Sequence, residues 1–215
     1  MQDHSTACLD LARLEAMPVS ALPYPHVVIP NFVRPQALPG IVAALPDIGA
    51  GGSFPTGSLR LGLAAQVLMR ALEGPELRHA IAAKFGLNLS DAPTMVTLRG
   101  RSREKDGRIH CDSEAKRVTV LLYLNPADAD WAGRGGSLRL LRGPSDIDDY
   151  AVEVPPVDGT LLVFPNGPTT WHGHRQHVGR RYVVQLNYMT RDARARSELR
   201  RHKISAFLKK LRKVA

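Results

Sequence analysis

The sequence predicts a mainly β protein with flanking α-helices, in which helices pack on the outside of a jelly-roll core. Two observations favour this fold class. The first third of the 215-residue chain repeats apolar residues at helical spacing, whereas the part after Pro93 is divided into short runs rich in β-branched and aromatic residues. A composition of 44% hydrophobic and 23% charged residues is typical of one globular domain with a full core.

The N-terminal third is predicted to contain one strand and several helices. Residues 1–20 are expected to form a short helix or a loosely held start, and residues 26–33 a strand with a proline break. Helices are expected at residues 36–46 and 60–86, where apolar side chains recur at near-helical spacing. The glycine–proline pair at 74–75 interrupts the longer stretch, so a second helix should begin there.

The rest of the domain is predicted to be β-rich. Gly, Pro, Asp and Asn separate six short runs, and strands at such spacing are typical of a sandwich or barrel. Helices followed by strands in this order favour helices on the outside of a jelly roll. The predicted strands cover residues 94–100, 117–125, 135–141, 150–156, 159–165 and 180–188.

The last 25 residues form a basic segment that differs from the rest of the chain. Ten are Lys or Arg and two are Asp or Glu, so this segment contributes eight of the nine net positive charges. We therefore divide the chain into a domain at 1–190, with its jelly-roll core at 94–190, and a basic amphipathic helix at 191–215. The helix would pack on the domain or on a second subunit, or contact a membrane surface or nucleic acid. Its apolar face consists of Ile204, Phe207, Leu208 and Leu211.

The chain lacks the sequence patterns of membrane and secreted proteins. No apolar run approaches the roughly 18 residues that span a bilayer, and the N-terminus, with acidic residues early, does not resemble a signal peptide. Cys8 and Cys111 lie far apart and form no disulfide framework. We therefore expect a cytoplasmic protein in a reducing compartment.

A His-x-Asp triplet, His110-Cys111-Asp112, is the first candidate for metal binding. In an extended segment, residues two apart point to the same side, so His110 and Asp112 would face one point. A second histidine would complete the two-histidine, one-carboxylate set that leaves positions open on Fe(II). Alone, the triplet also fits a polar loop.

A histidine cluster at residues 171–177 (WHGHRQH) offers the missing ligand. His172 is the preferred candidate, and His174 competes with it. The cluster would otherwise be a solvent-exposed loop or a zinc site.

Arg181 opens the apolar strand RYVVQLNY, nine residues after His172. A guanidinium at the start of a strand is suited to pair with a dicarboxylate through two parallel hydrogen bonds. The alternative is surface charge at a strand end. The order of His-x-Asp, strands, histidine and arginine along one chain favours a shared site.

These motifs resemble the prolyl-4-hydroxylase-like branch of the 2-oxoglutarate/Fe(II) dioxygenases. The resemblance covers roughly residues 95–188 and implies a double-stranded β-helix core, the jelly-roll or cupin-like fold. It also implies a hydroxylase that acts on an unactivated C–H bond and converts 2-oxoglutarate to succinate and CO2. The implied cofactors are Fe(II), 2-oxoglutarate and O2, with ascorbate in a supporting role. The residues that carry the resemblance are His110, Asp112, the run RVTVLLYLN, GGSLRLL, LLVFPN, His172 and Arg181-Tyr182.

The resemblance also implies individual roles. His110, Asp112 and His172 match the iron ligands, and the spacing to Arg181 favours His172 over His174. Arg181 matches the residue that binds the distal carboxylate of 2-oxoglutarate. Tyr123 matches a tyrosine whose hydroxyl assists that carboxylate, although a tyrosine in a strand also fits a purely structural role.

The substrate is less well indicated. Members of the branch often carry a tyrosine in the strand before His-x-Asp, where this chain has Arg99 and Arg101, so prolyl hydroxylation is not expected. A basic rim would suit an acidic small molecule or peptide, with Arg99, Arg101 and His174 as candidate contacts, or it is a solvated loop. Desaturation and cyclisation could use the same residues. A non-catalytic jelly-roll metal-binding or sensor protein is the alternative function.

Overall fold

The computed structural model describes residues 7–127, 131 and 135–201. Strands dominate the second half of the chain, as predicted, and helices the first. The helices are α1 Leu11–Ala16, α2 Leu38–Ala43, α3 Leu63–Glu73, α4 Pro75–Phe85 and α5, residues 193–201. The strands are β1 Val27–Ile29, β2 Phe54–Pro55, β3 Thr94–Ser102, β4 Lys116–Tyr123, β5 Leu138–Leu141, β6 Tyr150–Val154, β7 Leu161–Pro165, β8 His172–Gly173 and β9 Gly179–Met189.

Two antiparallel sheets form the core. The large sheet has the strand order β1-β7-β4-β9-β3-β2, and the small sheet has the order β6-β5-β8. An isolated bridge between His110 and His172 extends the small sheet beyond β8. The chain passes between the sheets from β4 to β5, from β6 to β7, from β7 to β8 and from β8 to β9. The mainly β fold with a jelly-roll core and flanking helices is confirmed.

Alternate residues of the large sheet face two different environments. Even-numbered side chains of β3, β4 and β9, such as Val96, Val120 and Leu186, pack in one apolar cluster with helix residues such as Leu72 and Ile81. The odd-numbered side chains face the small sheet. The period of two along each strand thus separates a helix-covered face from an interior face.

The interior face changes character along its length. Towards the end of β4, Leu121 and Tyr123 pack with Leu140 and Phe164 in a second apolar cluster between the sheets. Towards the start of β4, buried polar side chains replace them, and Thr119 has no exposed surface. This polar end of the interior borders the candidate site.

The break between α3 and α4 lies at the predicted place. Gly74 has an extended backbone (φ −64°, ψ 159°), and Pro75 occupies the first turn of α4. Proline is tolerated there because the N–H that it lacks would have no partner within the helix. The strands β2 and β8 were not predicted, because two residues carry too little periodicity to be recognised.

The start of the basic segment packs against the domain. Asp192 Oδ1 accepts a hydrogen bond from the Ala195 N–H (2.7 Å), which caps the first turn of α5. Ala195 is fully buried in a cluster with Ala115 and Met189. The predicted apolar face of Ile204, Phe207, Leu208 and Leu211 lies outside the described residues. Within the described ranges, none of the helices combines the length and apolarity needed to cross a bilayer.

Candidate active site

The structure brings together His110, Asp112 and His172. One ligand atom from each lies within 4.8 Å of the others. The two histidines are paired across the small sheet, because the N–H of each donates to the carbonyl of the other at 3.0 Å. Asp112 follows two residues after His110, as the predicted spacing requires. A local motif and one long-range backbone bridge thus create the cluster.

Both imidazoles are oriented by backbone carbonyls. His110 Nδ1 lies 2.8 Å from the carbonyl oxygen of Arg108, and His172 Nδ1 lies 2.8 Å from that of Thr170. A carbonyl only accepts, so each Nδ1 carries the proton and each Nε2 keeps a lone pair. Burial, followed by the electrostatic effect of the neighbouring His110, lowers the pKa of His172 to about 4. The ring is therefore neutral at pH 7, as a metal ligand must be.

Asp112 is held as a buried carboxylate. Lys116 Nζ donates to Oδ1, and Thr119 Oγ1 donates to Oδ2 at 2.6 Å. Burial alone would raise the pKa of this carboxyl, but the charge of Lys116, the electrostatic interaction with His172 and these hydrogen bonds hold the pKa below its ordinary value. Two imidazoles and an ionised carboxylate are the donor set of the facial Fe(II) triad, so these residues fit the ion.

A cavity extends from the triad to a buried arginine and a buried tyrosine. Arg181 is 5% exposed, and its Nε donates to the Gly136 carbonyl at 2.9 Å. It forms no ion pair with any residue that the structure describes. Tyr123 is fully buried, and its hydroxyl forms no hydrogen bond with any of the described residues. The Arg181 Cζ lies 5.4 Å from the Tyr123 ring centroid.

These two groups indicate that the cavity binds an anion. Burial lowers the pKa of Arg181, yet a guanidinium stays charged at neutral pH. Burial also raises the pKa of Tyr123 to about 12, so its hydroxyl keeps a proton to donate. A buried charge without a counterion and a buried hydroxyl without a partner are both unfavourable, and one carboxylate would satisfy them together.

Gly136 makes the position of Arg181 possible. Its φ is +85°, a conformation that L side chains rarely adopt, and a Cβ there would lie 3.1 Å from the His177 side chain. The Gly136 carbonyl accepts the hydrogen bond from Arg181 Nε. The glycine pair before β5 thus allows the backbone to support the guanidinium from one side.

His174 lies beside the triad and outside it. The histidine belongs to the lining of the cavity, and its Nδ1 lies 2.9 Å from the Arg175 carbonyl oxygen. Its ring packs on Gly107 (φ +90°), where a Cβ would come within 2.4 Å. Burial, followed by the charge of Arg181, lowers the pKa of His174 to about 4. Of the two competing histidines, the structure groups His172 with His110 and Asp112.

The two predicted rim arginines have different positions. Arg99 lines the cavity, and its Nε donates to Ser53 Oγ at 2.8 Å. Arg101 is exposed and does not belong to the cavity lining. The pairing of β3 with β9 shifts between them, so that Arg99 pairs with Val183 and Arg101 with Arg180. This irregularity leaves Arg101 beyond the end of the cavity.

The polar groups that support Asp112 were not predicted from the sequence. Thr119 Oγ1 also lies 3.2 Å from Asn187 Oδ1 and accepts from Asn166 Nδ2 at 3.0 Å. A threonine at an interior position of the apolar run RVTVLLY was a usable signal. The position of Lys116 gave no such signal in the sequence, because its contact with Asp112 depends on how the loop before β4 folds.

Comparisons with known proteins agree with this geometry. Residues 100–189 match the family model described as the 2OG-Fe(II) oxygenase superfamily. This region contains the triad, Tyr123 and Arg181, so the part of the chain that carries the site is similar to that superfamily. Members need Fe(II), 2-oxoglutarate and O2, so the resemblance and this cofactor set are confirmed for the family.

Solved structures share the fold at low sequence identity. A Pseudomonas putida prolyl-4-hydroxylase is 19% identical, with 89% of this chain and 97% of that chain covered and a TM-score of 0.54. A Phytophthora capsici prolyl 4-hydroxylase is 17% identical (91% and 68% covered, TM-score 0.56). A viral collagen prolyl hydroxylase from Paramecium Bursaria Chlorella virus-1, solved with 2-oxoglutarate, is 14% identical (77% and 96% covered, TM-score 0.50). No curated protein sequence matches significantly.

Proposed function

We propose that this protein is an Fe(II)- and 2-oxoglutarate-dependent dioxygenase that hydroxylates an unactivated C–H bond of a small or peptidyl substrate. The cosubstrate would be released as succinate and CO2. One observation carries the proposal: a buried guanidinium without a counterion and a buried hydroxyl without a partner share a cavity with the His110, Asp112 and His172 cluster. A zinc site formed by the same three ligands would not explain why Arg181 and Tyr123 are buried in this cavity.

Each residue then has a definite task. The Nε2 atoms of His110 and His172 and the carboxylate of Asp112 would hold the metal. Bound iron supplies the activation of O2, coupled to oxidative decarboxylation of the cosubstrate. Arg181 and Tyr123 would donate hydrogen bonds to the distal carboxylate of 2-oxoglutarate, which directs its keto-acid end to the triad.

The apolar wall of the cavity supports the same ligand. Leu121, Leu138 and Val183 line the space together with the arginine and the triad histidines. They would cover the methylene carbons of 2-oxoglutarate and exclude water from the ion pair at Arg181. Exclusion of water strengthens that pairing and protects the reaction from side chemistry.

Proline is not the proposed substrate. The prolyl hydroxylases above share the fold at 14–19% identity, which carries no substrate assignment. Arg99 occupies the strand where the resembling branch often has a tyrosine, and it contributes positive charge to the cavity. Hydroxylation of another small or peptidyl molecule is therefore proposed.

The cosubstrate site can be tested by spectroscopy. Anaerobic Fe(II) protein should develop a weak visible charge-transfer band on addition of 2-oxoglutarate. Replacing Arg181 with Gln should weaken 2-oxoglutarate binding about tenfold or more, because it removes a buried charge-assisted pair. The weakening should be much smaller for 2-oxobutyrate, which lacks the distal carboxylate.

Arg180→Gln is the matched control. Arg180 is the exposed neighbour of Arg181 on β9 and does not line the cavity, so its loss should change 2-oxoglutarate affinity less than about twofold. Absence of the band with wild-type protein would overturn the proposed function. A band without succinate formation in air would instead favour the non-catalytic alternative.

A further inference from the structure

A second, open groove lies beside the triad cavity and reaches α5. Its volume is about 450 Å³, within the range of small-molecule sites. Arg99 and Gln185 line both the cavity and the groove, so the two spaces are neighbours that share a wall. Thr97 and Asn187 contribute polar groups from the interior face of the large sheet, and Arg201 contributes from α5.

The α5 wall of the groove is fixed to the loop that carries Asp112. Ser113 Oγ donates to Glu198 Oε1 at 2.6 Å, and the Thr190 N–H donates to the Ala115 carbonyl at 2.7 Å. Ala195 is fully buried against the domain. The first residues of the basic C-terminal segment therefore lie next to the site.

Some charged residues that line the groove form ion pairs within the protein, and others do not. Lys116 forms an ion pair with Asp112, whereas Glu198 accepts a hydrogen bond from the neutral Ser113 hydroxyl and keeps its charge. Arg99 donates to the neutral Ser53 hydroxyl, and neither Arg99 nor Arg201 forms an ion pair within the described part of the chain. The charges that no ion pair neutralises are thus the positive Arg99 and Arg201 and the negative Glu198, so the lining of the groove keeps a net positive charge.

We propose that this groove binds the oxidisable substrate, and that the substrate is a small molecule with a carboxylate or phosphate group held by Arg99 and Arg201. This inference rests on the proposed function, because it assigns the substrate of the same site. The neutral side chains of Thr97, Gln185 and Asn187 would orient the rest of the molecule. Two anion sites then serve one reaction: Arg181 holds the cosubstrate inside, and Arg201 holds the substrate outside.

The proposal can be tested with sulfate as a probe. The full-length chain is loaded with Mn(II) and saturating 2-oxoglutarate, so that the Arg181 site is filled, and sulfate is titrated calorimetrically at constant ionic strength. We expect one sulfate site in the wild-type protein. Arg201→Gln and Arg99→Gln should each weaken it about tenfold, as for loss of one charge-assisted contact.

Arg200→Gln removes the same charge from the adjacent position. Arg200 is exposed and lies outside the lining of the groove, so sulfate affinity should change less than about twofold. No sulfate site in the wild type, or equal weakening by Arg200→Gln and Arg201→Gln, would overturn the proposal. A site insensitive to both groove variants would be an adventitious ion only and would overturn it as well.

The 2-oxoglutarate affinity of the same proteins separates this proposal from the proposed function. Arg201 does not line the inner cavity, so Arg201→Gln should keep wild-type 2-oxoglutarate affinity while losing sulfate. If the wild type fails to bind 2-oxoglutarate, the proposed function fails. If 2-oxoglutarate binds but sulfate does not, only the substrate assignment fails.

Discussion

The two faces of the large sheet differ in chemistry although they share the same strands. On the helix-covered face, Val120 and Leu186 are 1% exposed and surrounded by apolar side chains. On the interior face, their strands present Thr119, Asn187 and Arg181, equally buried but polar or charged. Backbone geometry is the same for both faces, and successive residues of a strand point to opposite faces. The face on which a residue lies therefore decides whether its side chain stabilises the fold or belongs to the site.

The largest effect is expected from breaking the helix-covered face. Leu186→Ala should lower the free energy of unfolding by about 2–5 kcal/mol, because it leaves a cavity in a closely packed cluster. Affinity for 2-oxoglutarate should remain within about twofold. Urea denaturation and calorimetry measure the two quantities.

The adjacent residue is the control for that experiment. Gln185 lies on the interior face and is partly exposed. Gln185→Ala should change the free energy of unfolding by less than about 1 kcal/mol. Equal loss of stability in both variants would contradict the division of the sheet into two faces.

An intermediate effect is expected from the interior face. Thr119→Val removes the hydroxyl that donates to Asp112 Oδ2, so the carboxylate loses part of its orientation. Affinity for Mn(II) should fall roughly tenfold, as is usual when a partner of a metal ligand is removed. Thr119→Ser keeps the hydroxyl and should bind Mn(II) within about threefold of wild type; if it binds as weakly as the valine variant, the hydrogen bond is not the cause.

The smallest effect is expected at the rim of the site. The hydrogen bonds from Arg103 lower the pKa of the Asp106 carboxyl below its ordinary value. Because the folded-state pKa is depressed, the pair stabilises the fold above about pH 4, and this contribution is lost as pH falls through the folded-state pKa. Asp106→Asn should therefore lower the free energy of unfolding by less than about 1 kcal/mol at pH 7, since Arg103 is 42% exposed.

The pH dependence of that difference provides the check. The stability gap between wild type and Asp106→Asn, measured by urea denaturation, should shrink between pH 7 and pH 3. Glu104→Gln removes a charge two residues away, where the side chain is exposed, and should leave stability unchanged at both pH values. A gap that grows on acidification would show that the sign is wrong.

Much of the fold and part of the site follow from the sequence because their signals are local and periodic. Alternation along β4 and β9, the glycine–proline break at residues 74–75 and the His-x-Asp triplet each involve neighbouring residues. The distance from His172 to Arg181 is also short along the chain. From these features the sequence predicts the fold class, the candidate metal ligands and the cosubstrate residues.

The remaining features depend on contacts between distant segments. The bridge between His110 and His172 decides which histidine of the cluster joins the triad, and the shift in pairing of β3 with β9 separates Arg101 from Arg99. The packing of α5 beside Asp112 brings Arg201 to the groove. No periodic or short-range pattern in the sequence predicts these contacts, because the three-dimensional packing of the whole domain sets strand register and helix docking.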